Sequence, residues 1–359
     1  MKPTCHGNNP AFLPALDTPA PSATPNQSNV VGFLAEELGF LMRRQFFILA
    51  GLTGLLVGPV WGEAIPPASK PAKPVARAAE FIPADWVFIN NGQIRLGVKK
   101  TSGAGIGWLS RSGSTVNLLD HWDHGRFIQQ SYYGKKDGSM WVKKPWSWNP
   151  VQGGDYQGHA AEVLELSSDK TTLHARIRPR NWAGGELLTD CEMEETIRLE
   201  GAVAVVKFGF QYRGTNSHPV RAQEVPATFV NPAYGTMVIY QGNEPWSGGA
   251  LTNSQPGWPN ESRKIPEGWV AWVNDQNTGV GVFSPIAKQL TCYRFGTTPQ
   301  AKGACSYAAP LVKFAITPGM HFEYEIALAL GTPDEMRAEF SKLKDSLLAK
   351  LPPPAIANK

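Results

Sequence analysis

The chain is poor in charge, poor in cysteine and short of long apolar runs, and each shortage excludes something. Charged residues make up 18% of its 359 residues, and 34 Lys and Arg against 30 Asp and Glu leave a net charge of +4. The basic residues are scattered and form no stripe that would track a phosphate backbone, which argues against nucleic acid as a partner. Of the four cysteines, Cys191, Cys292 and Cys305 lie beyond the N-terminal region, with neither CxxC spacing nor a flanking His. Zinc binding and thiol catalysis are therefore poor expectations. Cys292 and Cys305 are placed to bridge across a hairpin, with burial as small apolar residues the alternative. His121 and His124 stand three apart without an evident third ligand, so no metal site is expected. Neither a P-loop, a GxSxG elbow nor a dinucleotide fingerprint is present, and no cofactor is expected.

What the chain does have is 36 Gly, 30 Pro and 12 Trp, a make-up of short strands and tight turns. Strand-like runs recur from Trp86 to Leu328, separated by turn residues, which predicts an all-β sandwich of antiparallel sheets. The run Ala202–Tyr212 is apolar on both parities, as in a strand covered on both faces, and forms a hairpin with the stretch from Met193 to Leu199 across Glu200-Gly201. One helix is predicted at the C-terminus. Thr332 caps it, Pro333 opens it, Asp334 and Glu335 meet its positive end, and Met336, Phe340, Leu343 and Leu347 share a face.

The first 80 residues read differently. From Met42, a pair of arginines precedes a short apolar run ending in small residues at Gly62 and Ala64, which is the pattern of a secretory signal peptide. The run is too short for a stable membrane span. Residues 1–62 are thus expected to be an extension plus signal, with Met42 the true start and Sec or twin-arginine export both open. Residues 63–80 form a Pro/Ala-rich tether, 81–330 the folded domain, and 331–359 the helix and tail. A secreted or periplasmic location follows as an expectation, and the oligomeric state is left open.

The stretch from Asp120 to His159 differs from the strands on either side and is expected as one long functional loop; the densest polar and aromatic cluster runs from Asn117 to Gly134. Sugars present apolar C–H faces that stack on rings and hydroxyl edges that need fixed donors and acceptors. Arg126, Gln129, Tyr132, Trp146, Asp123 and His124 are accordingly the candidate substrate contacts. His159, in the Gly-rich loop Gly153–His159, is a candidate auxiliary proton donor, since an imidazole titrates near ~6.5. Glu224, Glu244 and Glu267 each stand beside Pro and an apolar residue, and such walls desolvate a carboxyl and suit it to acid or base work. Glu224 and Glu267 are the expected catalytic pair, because two carboxyls flanking a glycosidic bond suffice for hydrolysis.

The segments Asn91–Val98, Gly105–Leu109, Asn117–Asp120, Asp123–Arg126, Tyr212–Ser217 and Gly279–Pro285 resemble, in order, the galactose mutarotase-like superfamily. That resemblance implies a β-supersandwich with a concave, sugar-binding sheet and Arg126 as a sugar contact. It departs from the family's epimerases in lacking a His in the segment Ala222–Ala227, which argues against plain mutarotase activity. The function expected from the sequence is an exported carbohydrate-active enzyme that cleaves glycosidic bonds of an oligo- or polysaccharide. The alternatives are a polysaccharide lyase, with Tyr132 or His159 removing a proton, and a non-catalytic glycan-binding protein.

Overall fold

The computed structural model describes residues 84–296 and 301–349. The signal-like segment, the tether and the C-terminal tail beyond residue 349 lie outside them. Among the described residues no helix is long and apolar enough to cross a membrane.

Strands pair antiparallel throughout, in two large sheets with two smaller ones beside them. The seven-stranded sheet runs Arg180–Asn181, Pro150–Val151, Gln129–Ser131, His218–Val230, Cys305–Ile316, Gln289–Phe295, Glu261–Lys264. The nine-stranded sheet runs Leu251–Ser254, Thr236–Tyr240, Trp269–Val273, Gly279–Phe283, His321–Gly331, Val203–Tyr212, Cys191–Glu200, Thr172–Arg178, Glu162–Ser168. The smaller sheets are Trp86–Asn90, Ile94–Lys99 and Gly105–Arg111, and the hairpin of Lys136–Trp141 with Lys144–Ser147. The result is an antiparallel β-sandwich with one C-terminal helix, the fold class read from the sequence.

Period-two alternation sorts the side chains into three apolar layers. Ala204, Val206, Phe208, Ile326 and Leu328 from the nine-stranded sheet meet Ile128, Tyr132, Val225, Leu290 and Ala308 in the central core. The opposite parity of the nine-stranded sheet, Val203, Val205, Ala327 and Ala329, packs with Met336, Phe340 and Leu347 of helix α1 (Pro333–Ala349). This is why Val203–Tyr212 is apolar on both parities. A third layer, with Tyr133, Trp146, Phe229 and Tyr307, lies on the outer face of the seven-stranded sheet.

Helix α1 starts with a reciprocal cap. The Glu335 N–H donates to Thr332 Oγ1 at 3.3 Å, and the Thr332 N–H donates to Glu335 Oε2 at 2.8 Å, so two otherwise orphan donors are satisfied. The helix sits tight on Gly279–Phe283: a Cβ at Gly281 would lie 2.9 Å from Met336 Sδ.

One open alternative is decided and one expectation needs correction. All three described cysteines are free. Cys292 pairs with Ala308 and points into the central core, whereas Cys305 points into the outer layer. Their side chains therefore leave opposite faces of one sheet and cannot bridge. The stretch from Asp120 to His159, expected as one long loop, contributes two strands to the seven-stranded sheet and the whole hairpin 136–147. Its short, Gly- and Pro-punctuated runs hid that pairing.

Phe340 is fully buried beneath the helix, against Phe283 at 5.5 Å and Trp269 at 6.0 Å between ring centroids. Phe340→Ala is expected to cost about 3–5 kcal/mol in denaturant unfolding, while truncation of the exposed Leu348 stays within about 0.5 kcal/mol.

Candidate functional site

The outer layer gives the seven-stranded sheet cover on both faces, so polar groups there are cut off from water. Hairpin 136–147 supplies Trp141 and Trp146, their rings 5.1 Å apart. Beneath lie Phe229, Tyr307 and Tyr293 in a stack with centroids 4.7 and 4.6 Å apart. Glu224, on His218–Val230, is buried in this layer. Its Oε1 accepts hydrogen bonds from Tyr307 OH and from Tyr133 OH at 3.1 Å, and its Oε2 has no partner. Burial pushes the Glu224 carboxyl up to about 7, with the hydroxyls of Tyr307, Ser131 and Tyr133 opposing. Tyr293 lies within electrostatic reach of both Glu224 and Arg126.

Arg126 is buried as well, its guanidinium 6.0 Å from the Phe229 ring centroid. Asp123 Oδ2 accepts from Nη1, and Asp120 Oδ2 stands 3.8 Å from Nε. The turn is made locally: the Trp122 N–H donates to Asp120 Oδ1 and the Gly125 N–H to Asp123 Oδ1, both at 2.9 Å. Such Asx contacts are what Asp residues offer a chain reversal. Asp120 Oδ2 is left without a hydrogen bond. Burial pushes the Asp120 carboxyl up to about 6, against the pull of Arg126.

Asp120 also forms the wall of a cleft of about 780 Å³, shared with Asn117, His121, Trp122, Asn231, Lys99 and Lys302. That is ligand-sized. Trp122 is half-exposed, at 51%, and Lys99 and Lys302 bring positive charge. The cleft thus combines an open aromatic face, amide and ammonium donors, and the Asp120 carboxyl in its wall, with Oδ2 turned inward toward Arg126.

The other residues singled out in the sequence have varied placements. Gln129 is a clamp: its Nε2 donates to Gly125 O at 2.7 Å and His124 O at 3.2 Å, and its Oε1 accepts from the Gly153 N–H at 2.7 Å. Both ring nitrogens of His124 are engaged, Nδ1 with Ser102 Oγ at 2.9 Å and Nε2 with Gly158 O at 3.1 Å, and burial pushes its pKa down. His159 is exposed, with Nδ1 2.8 Å from the buried Asp155 carboxylate. Tyr132 points into the central core and donates to Gln130 Oε1 at 2.9 Å; its neighbour Tyr133 faces the outer layer instead. Trp146 is buried in the roof, its Nε1–H donating to Asn149 Oδ1 at 3.3 Å. Glu244 lies exposed in a loop.

Glu267 is not brought to this site. Its Oε1 accepts from the Trp246 N–H at 2.7 Å and from Arg337 Nη2, and its Oε2 accepts from Trp269 Nε1 at 2.7 Å and Arg337 Nε at 2.9 Å. Arg337 belongs to α1, so Glu267 anchors the helix on the far side of the sandwich from Glu224. The two glutamates expected as a catalytic pair lie in different layers, separated by the central core. In their place the structure offers Asp120, with Tyr133, Tyr293 and Tyr307 as neighbours of Glu224. Asp120 stood in the sequence cluster, but nothing there distinguished its spare oxygen from those of Asp123. Among the described residues no group of three His, Cys, Asp or Glu side chains gathers to hold a metal.

No protein-family model matches the chain, and no curated protein matches it in sequence. Solved structures similar to it include a galactose mutarotase-like protein from Lactobacillus casei, at 10% identity and a TM-score of 0.49, covering 68% of this chain and 99% of that one. A galactose mutarotase related enzyme from Lactobacillus acidophilus gives 11% identity and a TM-score of 0.46, over 68% and 97% of the two chains. A 4-alpha-glucanotransferase from Thermococcus litoralis gives 14% and 0.39, over 68% of this chain and 37% of that one.

Two substitutions separate the roles of the glutamates. Arg337→Met leaves the Glu267 carboxylate buried without its cation and is expected to cost about 3–5 kcal/mol in chemical unfolding. Tyr307→Phe removes a donor that favours ionised Glu224, so its folded-state pKa rises further above the unfolded one. The loss is therefore larger above about pH 7, at about 1.5–3 kcal/mol for a bond to a charged group, than at about pH 5.5, where the neutral acid loses about 0.5–1.5 kcal/mol. Urea melts at the two pH values check this.

Proposed function

We propose that this protein binds a saccharide in the cleft over Asp120 and Trp122 and acts on it by proton transfer through the Asp120 carboxyl, outside the cytoplasm. The half-exposed Trp122 offers a face for the apolar side of a pyranose ring, and Asn117, Asn231, Lys99 and Lys302 offer hydrogen-bonding groups for hydroxyls. Asp120 carries the proposal: its side chain lines a ligand-sized cleft, and its Oδ2, turned toward Arg126, makes no hydrogen bond.

A carboxyl that titrates at about 6 is available in both forms near neutrality, as acid–base catalysis requires. Below that value it donates a proton to a leaving oxygen; above it, it accepts one from a hydroxyl or a carbon acid. Arg126 stands behind it and steadies the ionised form. Location outside the cytoplasm rests on the signal-like segment from Met42. Hydrolysis of a glycosidic bond needs a second carboxyl at about 5 Å or about 6.5–9.5 Å, and Glu267 is committed to Arg337. The proposal therefore stops at proton transfer by Asp120: glycosidic cleavage needs in addition a second carboxyl to activate water or attack the anomeric carbon, and among the described residues the cleft lining holds none besides Asp120. A second reading, glycan binding without turnover, is favoured by the closure of the aromatic roof over Glu224.

Titration calorimetry against a panel of neutral and uronate-containing oligosaccharides tests the proposal. Trp122→Ala is expected to weaken binding about tenfold, equivalent to about 1.4 kcal/mol. Asp120→Asn is expected to bind within a few-fold of wild type and to lose turnover by about 10²–10⁴. Unchanged affinity in Trp122→Ala discards the cleft, and full turnover in Asp120→Asn discards the acid–base role.

A further inference from the structure

A polar chain crosses the apolar filling of the sandwich. On Cys191–Glu200 the inward residues Cys191, Met193, Ile197 and Leu199 join the central core, and the inward position between Met193 and Ile197 is Glu195, fully buried. The residues registered opposite it, Ala175 and Phe208, carry no charge. Its Oε2 accepts a hydrogen bond from Gln152 Nε2 at 3.0 Å, and its Oε1 has no partner. A carboxyl taken out of water beside no cation is costly unless it stays protonated.

From Gln152 the chain branches into the other sheet. Gln152 Nε2 also donates to Gly103 O at 3.1 Å, and its Oε1 accepts from the Gln130 N–H at 3.2 Å. Gln130 Nε2 donates back across the core to Glu194 O at 3.0 Å, while its Oε1 accepts from Tyr132 OH. The next residue after Gln152 is Gly153, whose N–H meets Gln129 Oε1, and the Gln129 amide grips Gly125 O and His124 O. The approach leaves no slack, because a Cβ on Gly153 would lie 2.2 Å from His124 O.

We infer that Glu195 is a positioning residue: it holds Gln152, and through Gly153 and Gln129 it holds the turn that presents Asp120 to the cleft and seats Arg126 behind it. The link to sugar binding rests on the proposed function; the link to the turn does not. Burial pushes the Glu195 carboxyl up to about 8, with the Gln152 hydrogen bond opposing. The titratable groups facing it are the phenols of Tyr324 and, through Gln130, Tyr132; Tyr324 also senses Glu224. Because the folded value lies above the unfolded one, the contribution of the neutral acid is complete below about pH 4.5 and is lost as pH rises through about 8. Ionisation leaves a buried charge with no cation beside it, and the turn should loosen as that charge draws in water.

Hydrogen–deuterium exchange of the full chain, corrected for intrinsic rates, tests this without any ligand. In wild type, exchange in residues 120–130 is expected to rise at least about tenfold relative to residues 203–212 between about pH 6 and pH 9. Glu195→Gln keeps an acceptor for Gln152 and cannot ionise, so its profile should be flat at the wild-type low-pH level. Gln152→Ala cuts the chain one step later and should give fast exchange in 120–130 at every pH. A Glu195→Gln profile that tracks wild type overturns the inference, as does a wild-type rise shared equally by 203–212, which is the signature of a merely structural acid. If Glu195→Gln does not fold, the wild-type profile and Gln152→Ala decide. Failure to bind any saccharide would sink the cleft assignment alone.

Discussion

A guanidinium taken out of water at Arg126 dictates the arrangement around it. The group stays charged at any relevant pH, so its burial is tolerable only with anions held in place beside it. Asp123 meets it directly, and Asp120 stands one step further off. Both carboxylates lie in a turn folded on their own side chains, and Gln129 fastens that turn to the sheet beneath. The consequence is an aspartate carboxyl held at the edge of an open cleft, close enough to Arg126 to be influenced and too far to be neutralised by a hydrogen bond.

The buried carboxyls of this chain divide by how fully their oxygens are used. Glu267 has both oxygens engaged, by Arg337 and by the N–H groups of Trp246 and Trp269, and serves to seat a helix. Glu224, Glu195 and Asp120 each keep one oxygen without a hydrogen bond. Only Asp120 of these borders the cleft. Glu224 lies under an aromatic roof and Glu195 in the middle of the sandwich. A saturated carboxylate is an anchor, whereas an unsaturated one at a solvent boundary is equipped for chemistry.

Much of the fold was legible because it depends on local periodicity. The capped helix with Met336, Phe340 and Leu347 on one face, and the two-faced strand Val203–Tyr212, followed from spacing alone. What escaped was which sheet, and which face of it, a residue belongs to. Tyr132 and Tyr133 are adjacent, and alternation sends one to the core and the other to the outer layer; a one-residue difference inverts the role. Glu224 and Glu267 carry similar neighbours in sequence, yet Glu224 lies on a strand of the seven-stranded sheet and Glu267 in the turn that leads into Trp269–Val273 of the nine-stranded sheet. Cys292 and Cys305 likewise sit on paired strands with opposite parity. Arg126 and Glu224 stood out in the sequence by their aromatic surroundings, and the structure buries both side chains. Gln129 as a clamp and Glu195 as a core acid left no trace there, because a lone Gln or Glu in a strand reads as surface.

The central claim is that the open cleft beside the Arg126 turn is where a sugar sits. A crystal structure of the protein soaked with the tightest-binding oligosaccharide tests it most directly. A pyranose ring stacked on Trp122, with a hydroxyl or glycosidic oxygen within about 3.2 Å of the Asp120 carboxyl, is the result the account predicts. A sugar bound at another surface while this cleft holds only solvent would contradict it.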